Sequence, residues 1–258
     1  MRILHIWNTA GVPQTIAKYQ RILGHDVKVI TRRTLNPFGF EGSVRGGTKQ
    51  FYIRSILKSF RYNIIHVHAL DKIVPILKKL SNKPVVLTYH GSDIRCLWGQ
   101  KKKFWKKADF ISVTTPDLLE GAPDNVLYLE NPVDIEHFKR LNDYIPQSAL
   151  FISPNLSDQL LNLAKTETDA RGLKLIVQDR NKWSIPYIIY PRFLELFEYY
   201  IDIKECFGKV NPAMSYSALQ FLALGGKVIF MGKQYESNII SDPLDLAKKW
   251  IDIYNELK

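Results

Sequence analysis

MRILHIWNTAGVPQTIAKYQRILGHDVKVITR (1–32) is the stretch that decides the fold. Its first seven residues form an apolar run, and NTAGVP then breaks it. QTIAKYQRIL (14–23) carries apolar residues at helical spacing and stops at Gly24, after which DVKVITR (26–32) alternates as a strand. Strand, glycine-bearing turn, helix and strand in that order make the opening unit of a parallel α/β sheet. The pattern recurs outward from there. NIIHVHA (63–69), PVVLTYH (84–90), ADFISVTT (108–115) and NVLYLEN (125–131) read as strands, with helices at 49–61, 71–80 and 99–107. Strands apolar along most of their length belong in a sheet covered on both faces, with right-handed crossovers.

PVDIEHFKRLNDYIPQS (132–148) is polar, holds two prolines and reads as a linker. A second α/β set follows: ALFIS (149–153), a helix at 157–170, strands LKLIVQD (173–179) and IPYIIY (185–190), and a helix at 192–199. Strand YYIDIK (199–204), a helix at 215–224, strand KVIFMG (227–232) and a terminal helix at 243–257 complete it. The expectation is an α/β protein of two doubly wound, Rossmann-like domains with a cleft between them. The first spans 1–140 and the second 145–258, ending in a helix free to pack back on the first.

Composition narrows the function. With 46% hydrophobic and 24% charged residues in 258, the chain is neither disordered nor collagenous. Cys96 and Cys206 supply no disulfide framework, and no Cys/His spacing marks a zinc site. No apolar run reaches the ~18 residues of a membrane span, and the chain opens on a strand rather than a signal peptide. A cytoplasmic protein is expected. Net charge is +11, with 23 basic and 11 acidic residues in 1–140 against 13 and 14 in 141–258. The N-terminal half is therefore the half to meet something anionic.

Ligands of open α/β sheets bind beyond the carboxyl ends of the strands, so the loops there are the places to search. NTAGVPQT (8–15) joins a strand to a helix start, where Gly11 permits close backbone approach and free N–H groups favour a polar or negative ligand; Asn8 and Thr9 lie in the same loop. In TYHGSD (88–93), His90 ends an apolar strand and can orient a sugar hydroxyl, while Asp93 can accept from a second one. His66 and His68 stand two apart on one strand face, where packing or cleft lining is favoured over metal ligation. QKKKFWKK (100–107) interleaves lysines with aromatics, a pattern suited to an anionic lipid surface. Trp98, Lys101, Lys102, Lys103, Trp105 and Lys106 are its candidate contacts, and KQFYIRSILKSFRY (49–62) is a second basic amphipathic segment. Nucleic acid is disfavoured, since no recognition motif accompanies the charge. In NPAMSYSALQFLALGGKVI (211–229), Ser215 and Ser217 open a helix whose free N–H groups suit a pyrophosphate, with Lys204 and Lys209 placed to neutralise it.

These segments, in this order, resemble the retaining glycosyltransferases of family 4, which have the GT-B fold. The resemblance rests on MRILHIWNTAG, GHDVKVIT, IIHVHAL, PVVLTYHGSDIR, LENPVDIEHF and MSYSALQFLALGGKVI. It implies a nucleotide-sugar donor held mainly by the second domain, an acceptor held by the first, and transfer needing no metal or other cofactor. It places Gly11 near the donor phosphates, His90 beside the reacting sugar, and the start of the 215–224 helix on the phosphates. Asn8, Thr9, His68 and Asp93 are then the acceptor-side candidates, with lipid-linked acceptors among the open classes. No carboxylate nucleophile is visible, which favours a same-face route to retention. The chain departs from the family where two glutamates are usual. Gln220 occupies the second position and Pro212 the first, and FISPNLSD stands where a cation-bearing loop would open the second domain. Those departures ground an alternative reading, a non-catalytic GT-B-like binding or scaffold protein.

Overall fold

The computed structural model describes residues 1–153, 156–206 and 209–258, the side chains at 206 and 209 excepted. It divides into two units, Met1–Pro132 with Asp242–Lys258, and Val133–Ser241.

In the first unit β1 (Arg2–Ile6), α1 (Val12–Ile22), β2 (Asp26–Arg32), β3 (Ser43–Val44), α2 (Thr48–Ser59), β4 (Ile64–His68) and α3 (Val74–Leu80) are followed by β5 (Val85–Tyr89), α4 (Lys102–Trp105), β6 (Phe110–Val113) and β7 (Leu127–Tyr128). The sheet order is β3-β2-β1-β4-β5-β6-β7, and every pairing is parallel. The order reverses between β1 and β4, so the crevice at their carboxyl ends is the ligand position of this sheet type. β4 and β5 are buried at every residue, as strands covered on both faces must be. Three non-glycine residues, Trp7 (φ 77°), Ala10 (φ 53°) and Ala69 (φ 60°), adopt left-handed backbone just beyond β1 and β4. Such conformations cost about 1–3 kcal/mol each and gather where a site over-determines the chain.

The second unit holds β8 (Ile145–Ser153), α5 (Asp158–Asp169), β9 (Lys174–Asp179), α6 (Tyr190–Leu194) and β10 (Phe197–Ile201). The two-residue strands β11 (Glu205–Cys206) and β12 (Lys209–Val210) pair antiparallel, and α7 (Tyr216–Ala223), β13 (Lys227–Phe230) and β14 (Lys233–Tyr235) follow. Its sheet runs β14-β13-β10-β8-β9, parallel except for the β13–β14 hairpin. The order reverses between β8 and β10. Gly226 lets α7 turn tightly into β13: a Cβ there would sit 2.1 Å from the Phe221 ring. α8 (Pro243–Glu256), capped by the Asp242 carboxylate on the Leu244 N–H (2.7 Å), belongs to the first unit and buries Trp250 and Tyr254 against it.

Several elements differ from the sequence reading. Within the stretch read as a linker, Val133 and Phe138 are buried in the second core. IPYIIY is a helical turn leading into α6, not a strand. Pro186 precedes that turn and Pro191 stands in the first turn of α6, where its fixed φ suits a helix and its missing N–H costs nothing. The basic helix expected at 99–107 shrinks to the four residues of α4.

Candidate functional site

The second unit gathers its polar residues at the carboxyl ends of β8, β9 and β10. Ser215 caps α7 by accepting from the Ala218 N–H (3.2 Å), and its own N–H donates to the Asp202 carboxylate just after β10 (2.6 Å). Arg180, the first residue past β9, donates to the Ser217 hydroxyl (2.9 Å) and to the Tyr190 hydroxyl (3.2 Å). Lys204 faces Asp202 and Arg180, and burial lowers its pKa to about 8 against the pull of the Asp202 carboxylate. Two cations, two serines and a helix start therefore converge at the point where this sheet reverses its order. Gln220 is buried within α7 at 3% exposure. Lys209 is described only in its backbone, and the FISPNLSD loop lies partly outside the described residues. Arg180 was not among the sequence candidates. Its signal was position alone, a cation directly following a strand.

In the first unit, Gly11 is the residue before α1 and has φ 84°, a conformation only glycine adopts without strain. Asn8 is buried and donates to the Gln14 side chain (3.1 Å), while its Oδ1 and the Thr9 hydroxyl are buried without a hydrogen bond inside the chain. Orphaned buried acceptors beside a strained loop mark a place for a polar ligand.

His90 and Asp93 follow β5. The Asp93 carboxylate accepts from the backbone N–H of His90 (3.0 Å) and of Gly91 (2.6 Å), so it braces the loop. Burial pushes its pKa up, against the pull of those same hydrogen bonds. His68 is likewise not on an open surface. It is fully buried between two other imidazoles, bonding the His5 Nδ1 through Nε2 (2.9 Å) and the His90 Nε2 through Nδ1 (3.0 Å). His66 bonds the Tyr254 hydroxyl (2.6 Å) and the Thr88 hydroxyl (2.7 Å), and its ring stacks on His68 at 4.0 Å. Desolvation lowers the pKa of all four: His5 to about 4, His90 to about 3, His66 and His68 well below 6.5. His5, His66 and His68 offer ring nitrogens within 4.8 Å of one another, close enough to share a cation, yet each is engaged in the hydrogen bonds above.

The lysine-and-tryptophan segment differs most from expectation. Trp98 and Trp105 are buried, their indole N–H groups donating to the Leu118 carbonyl (2.9 Å) and the Trp98 carbonyl (2.8 Å), and the Trp98 ring meets both Tyr89 and Trp105 edge-on in the core. Lys101 turns inward to the Asp71 carboxylate at 2.9 Å. Lys102, Lys103 and Lys106 remain exposed. The apolar surface lies instead on α2, where Ile53 (57% exposed), Leu57 (63%) and Phe60 (51%) form a stripe at helical spacing among Lys49, Arg54 and Arg61.

Comparisons with known proteins fit this architecture. Residues 12–120 match the model of Glycosyltransferase Family 4. No curated protein matches the sequence. The structure of an alpha-glucosyltransferase in complex with UDP and a 13-mer DNA containing a central A:G mismatch aligns with 100% of this chain and 90% of its own, at TM-score 0.61 and 13% identity. An alpha-glucosyltransferase in complex with UDP aligns over 99% and 90%, at 0.60 and 14%. Sucrose-phosphate synthase from Thermosynechococcus elongatus aligns over 88% and 80%, at 0.56 and 13%. The chain is a GT-B-fold protein whose first unit is similar to Glycosyltransferase Family 4 over residues 12–120.

Proposed function

We propose that this protein transfers a sugar from a nucleotide-sugar donor to an acceptor, with retention of configuration and without a metal. The observation that carries the reading is the convergence of Arg180, Lys204, Ser215 and Ser217 at the start of α7. The leaving group of such a reaction is a nucleoside diphosphate, and stabilising its growing charge is the main electrostatic task. Arg180 supplies a planar fork and Lys204 a point charge, which together serve where other enzymes use a metal ion. The Ser217 hydroxyl, now accepting from Arg180, turns to a phosphate oxygen when one binds. His90, neutral because it is buried, offers a ring nitrogen to a sugar hydroxyl. No carboxylate is proposed as nucleophile, so the leaving phosphate takes the acceptor proton on the same face. UDP is the first nucleotide to test, because it is bound in two of the structural relatives.

Membrane association belongs to the same reading, through α2 rather than the buried indoles. Its exposed Ile53, Leu57 and Phe60 beside Arg54 and Arg61 fit the headgroup boundary of an anionic bilayer. No helix among the described residues is long and apolar enough to cross a membrane.

Isothermal titration with UDP-, GDP- and ADP-linked sugars tests the donor site. Saturable heat with one of them, weakened in Arg180→Ala, is the expected result. No heat with any would leave the scaffold reading, for which the replaced glutamates at Pro212 and Gln220 are the ground.

A further inference from the structure

The buried imidazoles of His5, His66 and His68 and the partly buried ring of His90 do not form an unordered cluster. They form two hydrogen-bonded chains that start from one side chain, Gln20 of α1. Its Oε1 accepts from His5 Nε2 (2.9 Å), and its Nε2 points to the Tyr254 hydroxyl (3.4 Å). Each neutral imidazole has one N–H and one bare nitrogen, so fixing one nitrogen fixes the other. A donor at His5 Nε2 leaves His5 Nδ1 an acceptor, which requires His68 Nε2–H. That makes His68 Nδ1 an acceptor, which in turn requires His90 Nε2–H. The second chain runs the other way. The Gln20 amide N–H donates to the Tyr254 oxygen, Tyr254 O–H to His66 Nδ1, His66 Nε2–H to Thr88, and Thr88 to Ser112 (2.7 Å). Every ring N–H finds an acceptor, with all four rings neutral and protonated at Nε2.

We propose that Gln20, acting through His5 and His68, holds His90 in its Nε2–H tautomer and thereby presents His90 Nδ1 as a bare acceptor. Gln20, His5 and His68 are then positioning residues, and their effect on chemistry passes through His90. At the far end His90 meets the Asn131 side chain, whose hydrogen bond acts to raise the His90 pKa against desolvation, although His90 Nδ1 and Asn131 Oδ1 have no partner of normal geometry. With the tautomer set at Gln20, Nδ1 carries no proton, so the Asn131 amide has to turn its NH2 rather than its carbonyl toward it. A substrate hydroxyl approaching this nitrogen would donate to it. That use rests on the transferase reading; the tautomer does not.

Long-range proton–nitrogen NMR of the histidine rings in the full-length protein, recorded without donor or acceptor, tests the proposal. It therefore stands or falls separately from the transferase reading. The expected spectrum has His5, His66, His68 and His90 neutral and protonated at Nε2. A His90 Nδ1–H, turned toward the Asn131 carbonyl, would overturn it even if no variant folds. Gln20→Met removes the amide that orders both chains and should leave His90 a mixture of tautomers; a pure Nε2–H signal there refutes the role of Gln20. Gln20→Glu still accepts from His5 but has no N–H for Tyr254. It should reverse His66 to Nδ1–H while His90 stays as it is, and no change at His66 counts against the proposal. Stoichiometric Zn²⁺ that shifts the His5, His66 and His68 signals would make the cluster a metal centre, and the tautomer chain would be wrong.

Discussion

Mild acid should unfold this protein, and the four desolvated histidines, three of them buried and His90 partly so, set how steeply. Each has its folded pKa lowered by burial, from 6.5 to about 4 for His5, to about 3 for His90, and well below 6.5 for His66 and His68. In the unfolded chain they titrate near 6.5, so between pH 6.5 and pH 4 the unfolded state binds more protons than the folded one. Stability is then fully present above pH 6.5 and is lost as the pH falls. From pH 7.5 to 5.5 each such histidine removes about 1.4 kcal/mol, and the four together about 5 kcal/mol, comparable with the whole stability of many domains. Carboxylates with lowered pKa, such as Glu195 and Glu198, contribute only in more acid solution. Asp93, whose pKa is raised by burial, works in the opposite sense.

Urea unfolding at pH 7.5, 6.5 and 5.5, followed by tryptophan fluorescence, measures this directly. Trp7, Trp98, Trp105 and Trp250 all lie in the histidine-bearing unit, and Trp250 sits 4.6 Å from the His66 ring. The midpoint should fall across the whole range, and His66→Gln should reduce the pH slope by about one proton, roughly 1.4 kcal/mol per pH unit at its steepest. A midpoint flat from pH 7.5 to 5.5 would mean that the imidazoles are reached by solvent or share a proton, and the neutral, buried network would be wrong.

Other consequences follow from single side chains. Arg180→Ala should weaken nucleotide binding about 10- to 100-fold by titration calorimetry, the worth of a charge-assisted hydrogen bond, with Arg180→Lys recovering only part of it. Gly226→Ala should destabilise by about 1–3 kcal/mol in a urea melt, because its Cβ meets Phe221 at 2.1 Å; pairing it with Phe221→Leu should recover some of that loss. Leu57→Ser with Phe60→Ser should abolish sedimentation with anionic vesicles and leave stability within about 0.5 kcal/mol, since both side chains are exposed. Trp105→Ala should instead cost about 3–5 kcal/mol of stability, and an effect confined to vesicle binding would restore the indoles to the surface.

The sheets were legible because their strands are apolar runs between helical periods, a pattern set by burial on both faces. β1, β2, β4, β5 and β6 fall where the periodicity put them. What failed was local. IPYIIY has the composition of a strand, yet its prolines suit the start of a helix. QKKKFWKK alternates charge and aromatic as an interfacial helix does, and only the Trp98 and Trp105 N–H bonds to backbone carbonyls show its rings to be core. In sequence, an amphipathic segment does not say which of two apolar surfaces, protein or lipid, receives it.

The candidate site shows a deeper reason for partial legibility. Helix starts and glycine turns are local in sequence, so Gly11, Ser215 and the 88–93 loop could be found by spacing. Charge is not local: a phosphate requires a cation within a few ångströms, and the fold is indifferent to which strand end supplies it. β8 and β9 are adjacent and parallel in the sheet, so their carboxyl ends lie at the same sheet edge. A search of the first loop alone therefore sees a lost cation, where the sheet has Arg180 one strand over, on the hydroxyl of Ser217. The absence of a cation from FISPNLSD is thus weaker evidence against a donor site than it looks in sequence, because neighbouring parallel strands make their carboxyl-end loops interchangeable as sources of charge. The replaced glutamates admit no such exchange. In the donor site proposed above they would have to be recovered from α7, and there the chain has Gln220, buried and uncharged. An amide there still donates and accepts hydrogen bonds but brings no negative charge, so substitution at Gln220 should alter the choice among nucleotides more than the grip on the diphosphate.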